Sequence, residues 1–137
     1  MKEHPDSRTA VAALRKATHG LLYMSESDEP FDVIHLDKPK DTFGAADARM
    51  VAGRPADCLV QEERLDEFFN ELAQNHDWHG PSETEDVRRY RELWLFFRNR
   101  LADATVFRLG EVQVDIIIIG RAADGQWVGV ETRAVET

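Results

Sequence analysis

The C-terminal third of the chain narrows the possible folds more than any other stretch. In "EVQVDIIIIG", Val112, Val114, Ile116 and Ile118 alternate strictly, and a period of two sends successive side chains to opposite faces of a strand. "RAADGQ" follows, and then a second β-rich run, "WVGVETRAV". Asp124-Gly125 between them is a hairpin dipeptide, because both residues reach positive φ at little cost. The spacing predicts a long C-terminal hairpin, with a shorter strand at "TVFRL" (105–109) joining the same sheet across Gly110. Such a sheet has an apolar face that other elements must cover.

The cover is legible upstream. Val87, Tyr90, Trp94, Phe97 and Leu101 recur at steps of three and four, with Leu93 widening the stripe, and Ser82 and Glu85 form a capping-box pattern. This predicts a helix over 82–101, with Arg98 and Arg100 suited to the negative end of its dipole. Leu65, Phe68, Phe69 and Leu72 give a shorter helix with one apolar stripe. Near the N-terminus, Ser7 reads as the N-cap of a helix carrying Val11, Leu14, Thr18 and Leu21, with Gly20 as its stop. "FDVIHL" (31–36) reads as a strand with apolar residues on both faces, and "CLVQ" (58–61) as a short strand. Residues 37–57 carry Lys-Pro, Phe-Gly, Ala-Gly and Arg-Pro punctuation without a period and read as loop. The order of elements predicts a single α+β domain over residues 1–137, an α/β/α sandwich with a mainly antiparallel sheet flanked by helices.

Charge restricts the partner. The 137 residues hold 26 acids against 17 bases, a net charge of -9, and the excess is spread over the whole length. Without a cluster of Lys and Arg there is no surface to neutralise phosphates, which argues against direct binding to nucleic acid. A basic protein is the partner such a charge attracts. Cys58 is the only cysteine, so no intramolecular disulfide forms, and it reads as a small buried hydrophobe. "MKEHPDSRTA" lacks a signal-peptide apolar run and "IIII" at 116–119 is too short to cross a bilayer, so the expected location is cytoplasmic.

Few residues suggest chemistry. In "HDWHG" (76–80), His76, Asp77 and His79 would suit a metal ligand set or a general base, and with them a small metal-dependent hydrolase. Turn chemistry between two helices accounts for them more simply, as no third His or Cys stands at metal-site spacing. Trp78 either pins that loop to the core or projects as an interface anchor. Trp94 and Trp127 read as core. Asp115 interrupts an apolar strand and, beside Gln113, reads as a solvent-facing residue rather than a lone catalytic carboxylate. Phosphate-loop, nucleophile-elbow and paired-cysteine signatures are missing, so the chain reads as no enzyme. "YMSESDEPF" (23–31) places Glu26, Asp28 and Glu29 between two apolar pieces; composition accounts for these as solvated loop charges, with Ser25 or Ser27 forming local turns.

"GLLYMSESDEPFDV" (20–33), "VFRLGEVQVDIIIIG" (106–120) and the terminal "VET" (135–137), with a weaker match at Asp77-Trp78, resemble the nuclease A inhibitor family of bacteria. The resemblance implies an α/β/α sandwich that blocks a secreted or periplasmic, sugar-nonspecific endonuclease of the ββα-metal type. Such a nuclease carries a magnesium ion and a basic groove for the phosphate backbone. Carried over by position, Glu26 reaches the nuclease's magnesium, Thr137 approaches the same site, and Asp77 and Trp78 lie at the interface. The inhibitor needs no cofactor or metal of its own. His76 stands where the family has a glutamine, so that contact does not transfer. A binding module that offers the same acidic face to another basic protein is the alternative.

Overall fold

A computed structural model of the chain describes residues 4–24, 27–73 and 81–136. Helix α1 spans Ser7–Thr18, strands β1, β2 and β3 span Leu22–Met24, Asp28–Pro30 and Asp32–Leu36, and helix α2 spans Ala45–Ala52. Strand β4 (Val60–Glu63), helices α3 (Leu65–Leu72) and α4 (Pro81–Arg100), and strands β5 (Ala102–Leu109), β6 (Gln113–Arg121) and β7 (Trp127–Val135) complete the order. Strands β3-β7-β6-β5-β4 form one antiparallel sheet, and β1 and β2 a separate two-stranded one. The result is the α+β sandwich that the sequence predicts.

The isoleucine run explains why both sheet faces are covered. Ile116 and Ile118 point to one face with Val106, Val114, Val128 and Val130, while Ile117 and Ile119 point to the other with Phe107, Leu109 and Trp127. All four isoleucines are fully buried, each worth roughly 1.5–3 kcal/mol by apolar burial. The first face receives α1 through Ala10 and Leu14, α3 through Phe68 and Phe69, and α4 through Tyr90, Leu93 and Phe97. The second receives α2 through Ala48, with Phe43 packed beside it. Trp127 is core as expected, its Nε1 donating to the Lys40 carbonyl at 3.0 Å. Trp94 is half-buried, lies over Phe69 and donates to Asp66 at 2.7 Å.

Several local readings change. Asp6, not Ser7, caps α1, accepting from the Thr9 N–H at 2.8 Å. Ser7 is buried and works over distance instead: its N–H and hydroxyl both donate to Asp124 Oδ2, at 2.9 and 2.6 Å, tying the β6–β7 turn to the start of α1. Residues 37–57 are not all loop, since α2 lies within them. Asp47 accepts from the Gly44 N–H at 2.9 Å, and Gly53 ends the helix in the left-handed region at φ 68°. Its buried contact is a single small residue, Ala48, so no large apolar stripe marks it. The strand read at 58–61 begins two residues later, and Cys58 before it is half-buried. Helix α4 starts at Pro81, a favoured first helical position, and the Ser82 side chain of the expected capping box lies outside the described residues.

Asp115 is the largest correction. It is buried rather than solvent-facing, with Arg54 Nε at 2.7 Å and Arg133 Nε at 3.5 Å from its carboxylate. The end of the sheet face beyond α2 supplies this environment, which strand alternation alone does not reveal.

Candidate functional site

The acidic segment is a β-hairpin rather than a free loop. Leu22 faces Pro30, Tyr23 faces Glu29 and Met24 faces Asp28. Two strands this short do not hold together by their own pairing, and three anchors from the body secure them. The Tyr90 hydroxyl of α4 donates to the Leu22 carbonyl. Thr132 of β7, itself buried, donates to the Pro30 carbonyl at 2.9 Å and approaches that of Glu29 at 3.4 Å. The Tyr23 ring stacks on Phe68 at 6.1 Å and meets Phe31 edge-on at 6.3 Å.

Of the residues that the sequence singles out, Glu26, Asp77, Trp78 and Thr137 all lie outside the described residues, as do His76 and His79. Their chain neighbours are described. Asp28 is exposed and Glu29 half-buried on the return strand. Glu136, next to Thr137, is held by its N–H donating to the Val112 carbonyl at 2.8 Å and by its carboxylate accepting from Arg108 at 2.7 Å.

Arg108 joins these pieces. It sits in β5 on the helix-covered face, donates through Nε to Glu63 at 2.8 Å and through Nη1 to Glu136, and lies 5.6 Å from the centre of the Phe68 ring. Burial alone would lower its pKa, but Glu63, Tyr23 and Glu136 more than reverse this. Burial pushes the Tyr23 phenol upward while the Arg108 charge opposes it. Arginine in the middle of an apolar strand was the available signal for this cluster, and periodicity alone passes over it.

A second polar group flanks the hairpin. Ser27, Glu29, Arg54, Asp115, Arg133 and Val135 border a cleft of about 430 Å³. Arg54 holds its wall closed, with Nε on Asp115 and Nη2 on the Gln113 carbonyl at 2.7 Å. On the same sheet face, burial raises the Glu131 carboxyl; Asp115 adds to the rise, Arg133 opposes it, and Asp32 adds again. Among the described residues, no three His, Cys, Asp or Glu side chains are arranged to hold a metal ion. Nor is any described helix long and apolar enough to cross a membrane.

Fold and site together define an α+β sandwich that presents an anchored acidic hairpin beside the end of its last strand. The sequence profile of the nuclease A inhibitor-like family (NuiA) matches residues 8–137, and the chain belongs to that family. Membership implies, in general terms, a nuclease-inhibitor role and a nuclease partner, and suggests a non-catalytic protein. No curated protein matches the chain.

Proposed function

We propose that the protein inhibits a magnesium-dependent, sugar-nonspecific nuclease of the ββα-metal type by laying its acidic surface in the nuclease's basic groove. The observation that carries this reading is the family match over residues 8–137. The body anchors on the hairpin add support, since a carboxylate presented from a fixed support loses less freedom on binding. Glu26 is directed at the nuclease metal and replaces a scissile phosphate oxygen. Mg²⁺ is a hard cation that takes oxygen ligands, commonly one or two carboxylates plus substrate phosphate. Trp78 is the aromatic anchor, with Asp77 beside it and Thr137 near the metal. The net charge of -9 steers the encounter, so association slows with salt while buried contacts set dissociation. The working compartment is cytoplasmic, in keeping with a chain whose one cysteine forms no internal disulfide.

Titration against a magnesium-loaded ββα-metal nuclease tests the reading, with DNA cleavage as the readout. Cleavage should fall linearly to an equivalence point of one inhibitor per nuclease; undiminished cleavage at excess inhibitor refutes the proposal. Glu26→Gln should weaken inhibition by about 2–5 kcal/mol, roughly 30-fold or more, the usual range when one partner of a buried charge pair is lost. An unchanged inhibition constant removes Glu26 from the mechanism. Trp78→Ala should cost about 2 kcal/mol or more if it is a hot spot, and a wild-type constant assigns it to structure alone.

A further inference from the structure

Arg108 occupies a costly position. Its neighbours Phe107 and Leu109 enter the core beneath α2, while Arg108 faces the opposite layer, over Phe68 of α3. Only 22% of its side chain is exposed. A charge there has to be paired to be tolerated, and its partners come from three separate parts of the chain. Glu63 ends β4, Glu136 follows β7, and Phe68 belongs to α3. Phe68 in turn stacks on Tyr23 of β1, interplanar angle 11°. One guanidinium thus connects the strand that leads into the acidic segment with the residue that precedes Thr137.

The directions of its donors make this a geometric constraint. Nε and Nη1 are fixed relative to one another in the guanidinium plane, so the carboxylates of Glu63 and Glu136 are held at set positions around a rigid fork. Lysine has no such fork. Without the cation, Glu63 and Glu136 lose the counter-charge they share, and the tie between the end of β7 and β5 goes with it.

We propose that Arg108 is a positioning residue for partner binding, fixing strand β1 and the chain end at Glu136 in one arrangement so that both meet the partner together. This rests on the inhibitor reading given above. Arg108 needs no contact with the partner. Its removal takes the net charge from -9 to -10, which leaves steering toward a basic groove as fast or faster. The loss must therefore appear in dissociation.

The test compares Arg108→Met, Arg108→Lys and Glu136→Gln with the wild type. Association and dissociation rates are measured on a magnesium-loaded ββα-metal nuclease, and amide hydrogen exchange on the free inhibitor. Arg108→Met should dissociate at least tenfold faster with association unchanged or faster, and Arg108→Lys should recover only part of the loss. Glu136→Gln, which leaves the Glu63 pair intact, should show a smaller increase and keeps the test open should Arg108→Met fail to fold. In the free protein, exchange should speed up both in β1 and at the Glu136 amide. Dissociation within twofold of wild type in both Arg108→Met and Glu136→Gln overturns the proposal, as does faster exchange at only one of the two segments. If the wild type itself does not bind, the inhibitor reading fails, and the exchange result still decides whether Arg108 couples the segments.

Discussion

Tyr90→Phe isolates one of the three anchors of the acidic hairpin. The Tyr90 ring is 5% exposed and packs in the core between α4 and β1, so phenylalanine fills the same space and leaves no cavity. Only the hydroxyl is lost, and with it the bond to the Leu22 carbonyl. Leu22 lies opposite Pro30, which has no N–H to offer in exchange. Because Leu22 is itself partly exposed, water can reach its carbonyl, and the cost is the net value of one hydrogen bond, about 1 kcal/mol. For 137 residues the unfolding entropy near Tm is about 0.29 kcal/mol/K, so Tm should fall by about 3–4 °C. Thermal and urea unfolding check this, and the urea m-value should not change. Exchange should quicken in β1 beyond the global effect, and inhibition should weaken through dissociation. Burial, reinforced by Asp86, Tyr23 and Asp28, holds the Tyr90 phenol above its ordinary value of about 10. The unfolded chain therefore loses this proton first, and stability declines as pH rises above about 10. The Phe variant should lose part of that alkaline decline. A Tm within 1 °C of wild type, or an unaltered alkaline limb, would refute the reasoning.

Two further perturbations probe the sheet. The Glu131 carboxyl is raised by burial first and by Asp115 next, and its Oε2 has no hydrogen-bond partner among the described residues. A carboxyl raised in the fold binds more protons there than in the unfolded chain, so stability should fall as pH climbs from about 4.3 through the folded value. Glu131→Gln should flatten that slope between pH 4 and 7 in thermal unfolding; an identical slope in both proteins would contradict the assignment. Gly129 faces Ile119 across β6 and β7, and a Cβ there would stand 2.0 Å from the Ile118 carbonyl oxygen and 2.7 Å from Ile119 Cα. Backbone cannot yield as a side chain does, so Gly129→Ala should cost about 3 kcal/mol or more. A Tm loss under 5 °C would show that the central strands separate more easily than this contact implies.

Elements with strong periodicity were legible from the sequence. The α4 stripe, the α3 stripe and the β6–β7 hairpin appear where the spacing of apolar residues puts them, because burial of a continuous face sets the period. Helix α2 is not legible in the sequence because Ala48 is its only fully buried residue, and a small residue leaves no pattern. The burial of Asp115 is not legible in the sequence, because alternation gives only the side of a pleat, while Arg54, 61 residues away in sequence, supplies the charge that makes burial tolerable. Ser7 looked like a local cap, but its partner Asp124 lies 117 residues on. Cap position depends on a single residue step that propensity does not resolve.

The chain by itself determined the class of fold, the acidic character and the family motifs, since each is written in composition, period or local strings. Tertiary structure alone paired the two flanks of "YMSESDEPF" as strands β1 and β2, because their support comes from Tyr90, Thr132 and Phe68, none of them adjacent in sequence. It likewise linked Tyr23 of β1 and Glu136 after β7 through Phe68 and Arg108 of β5. The physical reason is the same in both cases: a charge or a short strand near a core is stable only with partners, and those partners are chosen by the packing of distant segments.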